Sequence, residues 1–345
     1  MKDVNTNNFD FLRIVFASTV ALAHLIGLSQ VQIFQSYSKF FNTQVAIHGF
    51  FIISGFLIAK SYENSVSIKE YIIKRVRRIV PAYFFVVLGS AIFLVILSKN
   101  SINNYFLNFQ FWKYLIANLT FQNYIEPCLP GVFNDNSICT VNGALWTIKV
   151  EEAFYLLVPV FYFLVNTKRF NIYLLTIITY LLSIAYFNYF LSIDAYRIAK
   201  QLPGALAFFV SGIILYKNFA FFIKWKHYLI VPCLIIFLTE QYMFSSHILK
   251  PFTFGVIVFY IAYNFKFLNT FGKYGDFTYG IYIFHFPIIQ IFVHYKLFDK
   301  YNPYFTSVVL LIFVLALAVF SWYVIELPNL SKSRKSRQKK LISKS

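Results

Sequence analysis

Ten runs of mostly apolar residues, set apart by short charged clusters, decide what this chain can fold into. They lie at 11–29, 43–59, 79–97, 146–165, 172–191, 203–216, 228–243, 250–265, 277–296 and 304–325. A helix needs about 20 such residues to cross the hydrocarbon core of a bilayer. With 59% of its residues hydrophobic, against about 45–50% in a soluble domain, the chain finds a solvent for that surface only in lipid. The expected fold is therefore all-α and integral to the membrane, a bundle of about ten transmembrane helices. An eleventh stretch, 105–125, is interrupted by Asn108, Gln110, Lys113, Asn118 and Gln122. It reads as an interfacial or re-entrant helix, because burying those amides against lipid is costly.

An even number of spans puts both termini on one side, and the basic residues say which. With the N-terminus inside, the cytoplasmic segments hold 21 of the 31 Lys and Arg and the outer segments 8. That bias predicts cytoplasmic termini. It also explains the net charge of +18 as loop and tail charge, so nucleic acid is not an expected partner and membrane lipid is. Residues 1–330 read as a single transmembrane domain, and 331–345 as a basic cytoplasmic tail without order. The first run contains Arg13 and His24 and shows no cleavage site, so no removable signal peptide is expected. Cys128 and Cys139 share the outer 98–145 excursion, where one disulfide or two unpaired thiols both fit; Cys233 lies in a span. No internal repeat is visible, and the excursion is too short for an enzyme domain. Any chemistry belongs within the bundle.

Ionisable side chains inside a bilayer cost about 2.5–3.5 kcal/mol each on insertion scales, which marks them as functional candidates. Arg13, His24, Lys149, Glu151 and Glu152 qualify. His24, counted from Asp10 at the inner end of its span, lies about 21 Å along the helix, in the outer half of the membrane. Glu151, counted from Trp146, lies about 8 Å below the outer surface, at a matching depth. A carboxylate level with an imidazole can fix its tautomer and stabilise the imidazolium, as a general base requires. The plainer alternatives are a histidine hydrogen-bonded between helices and a glutamate paired with Arg13 or Lys149. Glu152 points about 100° away from Glu151 and serves some other surface.

A second concentration is KRVRRIVPAY, Lys74 to Tyr83. Arg75 and Arg78 are three residues apart, on one helix face, and can direct two forked donors at one phosphate. The plainer reading is a cytoplasmic anchor, which is all that Arg77 offers. Pro81 fits if the membrane helix restarts there, and kinks it otherwise. The Ser54–Gly55 pair in FFIISGFLIA permits close approach of another helix or a ligand, and ordinary packing accounts for it.

In order along the chain, NFDFLRIVFASTVALAHL, HGFFIISGFLI, KRVRRIVPAY, LWTIKVEEAFYLL, YGIYIFHFPI and the terminal IELP resemble acyltransferase family 3, the membrane O-acyltransferases. The resemblance covers nearly the whole chain. It implies a ten-helix bundle in the bacterial inner membrane that takes an acyl group, usually acetyl, from acyl-CoA to a hydroxyl of a surface glycan such as O-antigen or capsule. By the same resemblance His24, Glu151 and Arg13 are catalytic, Arg75 and Arg78 bind the donor, acetyl-CoA is the cosubstrate, and no metal is needed. Some members carry an acidic residue where His48 stands, or a serine at Lys149; both departures bear on acceptor preference. Without the fused esterase-like domain of some relatives, this chain is expected to pass acyl groups straight to its acceptor or to a separate partner.

The expected course has the CoA nucleotide on Arg75 and Arg78 at the cytoplasmic face and the thioester reaching up to His24. The acceptor, a carbohydrate that can be lipid-linked, arrives from the outer side. His24 then deprotonates the hydroxyl or carries the acyl group itself. The rival class is a proton-coupled transporter or flippase with His24, Glu151 and Arg13 as a relay. Missing repeat symmetry and the arginine cluster disfavour it; a second rival, a polysaccharide polymerase, also offers many spans and membrane arginines but relies on large outer loops.

Overall fold

The computed structural model describes residues 6–167, 170–244 and 247–330. Every regular element among these is a helix, with no strand. Lipid imposes that economy, because each backbone donor and acceptor must then find its partner within its own segment. All ten apolar runs carry helices: Phe9–Ser29, Thr43–Glu63, Ile68–Phe93, Trp146–Asn166, Ile172–Ser192, Leu202–Lys217, Phe219–Tyr242, Lys250–Asn264, Thr278–His294 and Pro303–Phe320. By length and composition, seven helices among the described residues can cross a bilayer. The number is eight if Lys250–Asn264 and Lys266–Lys273, bent by 79°, count as one. Two fall short for instructive reasons. Thr278–His294 has 17 residues, a rise of about 26 Å, and Trp146–Asn166 opens with Lys149, Glu151 and Glu152. The basic tail expected at 331–345 lies outside the described residues.

The described residues form two compact units. One comprises 6–13, 44–72 and 150–272, the other 14–43, 73–149 and 273–330. In the first, Thr43–Glu63 and Leu202–Lys217 touch along their backbones. A Cβ on Gly55 would collide with the carbonyl oxygen of Phe209, and one on Gly212 with that of Ile52. Small residues are what allow such an approach in a membrane bundle, so Gly55 of the Ser-Gly pair serves helix packing.

Two prolines inside these helices are accommodated by side chains. A proline donates no backbone hydrogen bond and so leaves the carbonyl four residues earlier without its helical partner. Pro159 orphans the carbonyl of Tyr155, and the buried Tyr71 hydroxyl donates to it at 2.9 Å. Pro287 orphans that of Ile283, and the buried Asn142 amide donates to it at 2.8 Å. Pro81 lies within Ile68–Phe93, which runs through it rather than restarting there.

The stretch containing 105–125 forms two short helices, Ile102–Leu107 and Phe109–Leu119. Asn108 separates them and caps the second, accepting from the Gln110 amide. Neither is long enough to span. The buried Asn118 side-chain amide donates to the carbonyls of Tyr114 and Glu126, and the Tyr83 hydroxyl donates to the backbone carbonyl of Asn118. Cys128 and Cys139 are bridged, and Cys233 is free and buried. The segment closed by that bridge is pinned to Thr278–His294: the Gln290 amide donates to the carbonyls of Ile138 and Thr140 at 2.8 and 2.7 Å, and Asn136 donates to Gln290. Polar ties thus fix the placement of a helix too short to be held by lipid alone.

Candidate active site

The second unit brings two histidines together. His24 comes from Phe9–Ser29 and His285 from Thr278–His294, and the Nδ1 of His24 lies 2.8 Å from the Nε2 of His285. The ring planes are 8° apart with centroids at 5.1 Å, so the bond lies close to both planes. His285 is fully buried, and its Nδ1 is 3.1 Å from the carbonyl oxygen of Ile281, one turn earlier. Phe286 sets its edge against His24 at 5.2 Å. Gly143 makes room for that ring, since a Cβ there would come within 2.7 Å of it. Beside them the hydroxyls of Thr147 and Tyr282 are hydrogen-bonded at 2.6 Å. A basic nitrogen among apolar and hydroxyl-bearing side chains is the setting in which proton abstraction from an alcohol is feasible.

On the same helix, about 9 Å from His285 by the helical rise, Tyr279 belongs to a second cluster. The Arg78 guanidinium donates to Asp276 at 2.6 Å and to Glu326 at 2.8 Å. Rings of Tyr279 and Trp322 lie 5.8 and 5.9 Å from it. Glu326 closes the π-helical turn Ser321–Glu326, where it also accepts from the Ser321 hydroxyl at 3.0 Å. Glu326 is the acid of IELP, so three of the sequence motifs meet at one arginine. Arg75, on the same face of Ile68–Phe93, is half-buried, and Arg77 is exposed.

The first unit holds the remaining candidates. Glu151 accepts from the Tyr155 hydroxyl at 2.5 Å and from the Ser54 hydroxyl at 3.4 Å, which gives the serine of the Ser-Gly pair a polar task. Arg13 forms an ion pair with Asp10, one turn earlier, and donates to the carbonyl of Phe9. His48 stacks on Phe208 at 3.6 Å and faces His247 edge-on at 6.0 Å. Burial, and then the charge of Lys250, push His247 down from the usual 6.5 to about 3. Lys149, in the second unit, lies over the ring of Tyr124 at 4.5 Å. Of the predicted set, the structure thus joins His24 to His285 and Arg78 to two carboxylates, while Glu151 and Arg13 have partners within their own unit.

Comparison with known proteins gives this geometry its context. The profile of a family described as an acyltransferase domain, the acyltransferase family 3, matches residues 6–327. The chain belongs to that family. It is 25% identical over 342 residues to the O-acetyl transferase of Shigella phage Sf6, covering 95% of this chain and 97% of that protein. It is also 29% identical over 161 residues to nodulation protein 10 of Rhizobium leguminosarum bv. viciae, 44% of this chain and 43% of the relative. No solved structure matches it. The chain is an O-acyltransferase of the membrane, and the transporter reading gives way to enzyme chemistry.

For an acyltransferase, the residues that sequence reasoning passed over are His285, Asp276 and Glu326. All three stand in or beside motifs already singled out, YGIYIFHFPI and IELP. A histidine in the middle of an apolar run carried the same warning as His24, and it was legible. Asp276 and Glu326 gave no comparable signal, because each lies at the end of its run, where acids are ordinary.

Proposed function

We propose that this acyltransferase moves an acyl group, acetyl foremost, from acyl-CoA at the cytoplasmic face to a hydroxyl of a surface polysaccharide or its lipid-linked precursor. Residues 1–330 act as one catalytic domain in a bacterial inner membrane, crossing it ten times with both termini inside. The observation that carries the reading is the hydrogen bond between the Nδ1 of His24 and the Nε2 of His285, which orients an imidazole inside an apolar helix for proton transfer. The relative named an O-acetyl transferase supports acetyl as the group. The Cys128–Cys139 bridge supports an oxidising compartment around the loop assigned to the outside.

In this mechanism the Nε2 of His24 takes the proton of the acceptor hydroxyl as its oxygen attacks the thioester carbonyl. The C–O bond forms, the C–S bond breaks, and the imidazolium returns the proton to the departing thiolate of CoA. An acyl-histidine intermediate at the same nitrogen is the two-step variant. Arg75 and Arg78 hold the phosphates of the donor, and Asp276 and Glu326 fix the Arg78 guanidinium. Glu151 and Arg13 are retained as catalytic residues on the family resemblance.

The test is mass spectrometry of surface glycans from cells carrying the wild-type enzyme or His24→Ala. Loss of O-acyl groups with normal membrane insertion is expected. O-acylation persisting in the variant would overturn the assignment. In the purified protein, stabilisation against heat by CoA is expected to vanish in Arg75→Ala.

A further inference from the structure

We infer that His285 is a positioning residue, one that holds His24 in the tautomer protonated on Nδ1 and so makes Nε2 the basic nitrogen facing the substrates. The inference rests on His24 being the general base. It follows from counting donors along one short chain of hydrogen bonds. The carbonyl oxygen of Ile281 can only accept, so the contact at 3.1 Å requires the proton of His285 to sit on Nδ1. A neutral ring that donates from Nδ1 has only a lone pair at Nε2. That lone pair faces the Nδ1 of His24 at 2.8 Å, so the proton there belongs to His24. With its one proton on Nδ1, His24 carries its own lone pair on Nε2.

The direction of the chain also says what His285 does not do. Its Nδ1–H is committed to a backbone carbonyl that cannot take the proton away, so His285 orients and does not shuttle. Three features keep it in place. The Ile281 carbonyl sits one turn back on the same helix. Asn142 satisfies the carbonyl that Pro287 orphans two residues beyond His285. Gln290 ties the far end of the helix to the disulfide-closed segment. When His24 becomes an imidazolium its Nδ1–H is still accepted by His285, so the ring need not turn between taking the proton and returning it.

His285→Phe removes the acceptor, and His285→Gln replaces it with a side-chain oxygen. The expected result is a fall in kcat of about 10²-fold in the phenylalanine variant, in the range of positioned acid–base catalysis. KM for acyl-CoA is expected to stay within about threefold, and the glutamine variant to regain most of kcat. Selective 15N-histidine labelling of the wild-type enzyme should show His24 protonated on Nδ1, a state a merely structural histidine would not enforce. Wild-type His24 protonated on Nε2 would sink the inference even if the phenylalanine variant fails to fold. So would unchanged kcat in that variant while His24→Ala is inactive, and then the base assignment survives alone. Activity retained in His24→Ala would remove the base itself and the inference with it.

Discussion

Arg78 sits between two carboxylates, and all three side chains are shielded, with 12% of the arginine, 8% of Asp276 and 1% of Glu326 exposed. Removing the cation leaves two buried acids facing each other, a change that costs about 3–5 kcal/mol when a buried pair is broken. Arg78→Ala is therefore expected to lower unfolding stability by that amount, measured by denaturation in detergent. Arg75→Ala is expected to raise the KM for acyl-CoA, and an unchanged KM would remove Arg75 from the donor site. Sequence spacing put both arginines on one helix face and stopped there, since a period of 3.6 residues says which way a side chain points and nothing about what it meets. The same limit applies to His24. Its place along its own helix follows from the helical rise, whereas the partner at its Nδ1 comes from a position 261 residues away.

At the scale of the element, the helices were legible as apolar runs, and their interruptions were not. Prolines marked where Trp146–Asn166 and Thr278–His294 needed help, but the groups that supply it, Tyr71 and Asn142, sit 84 and 141 residues away from the carbonyls they satisfy. Tyr71→Phe strands the carbonyl of Tyr155 and is expected to cost about 1–3 kcal/mol. In a Pro159→Ala background the restored backbone N–H can take that carbonyl, so the same Tyr71 change should cost clearly less. A double-mutant cycle on unfolding free energies reads the difference, and additive losses would refute the pairing. The 105–125 stretch shows the opposite case. Its amides argued against a span from composition alone, and the break at Asn108 follows from a side chain that caps a new helix more readily than it continues an old one.

For the whole molecule, the chain carries three cysteines, and the fold divides them into a bridge and a buried free thiol. Protein isolated without reductant, denatured and alkylated should take up one label by mass spectrometry, and three after reduction. Three labels without reduction would remove both the bridge and the oxidising placement of its loop. By itself the sequence determined that the protein is helical, that lipid is its solvent, which runs form helices, and to which family its motifs belong. These follow from hydropathy and spacing, which are properties of neighbouring residues. Only the tertiary structure decided that a histidine is hydrogen-bonded to His24, that two acids claim Arg78 and that distant side chains complete two proline-broken helices. Such pairings depend on which atoms long-range packing brings within about 3 Å of one another, and nothing local in the chain encodes that distance.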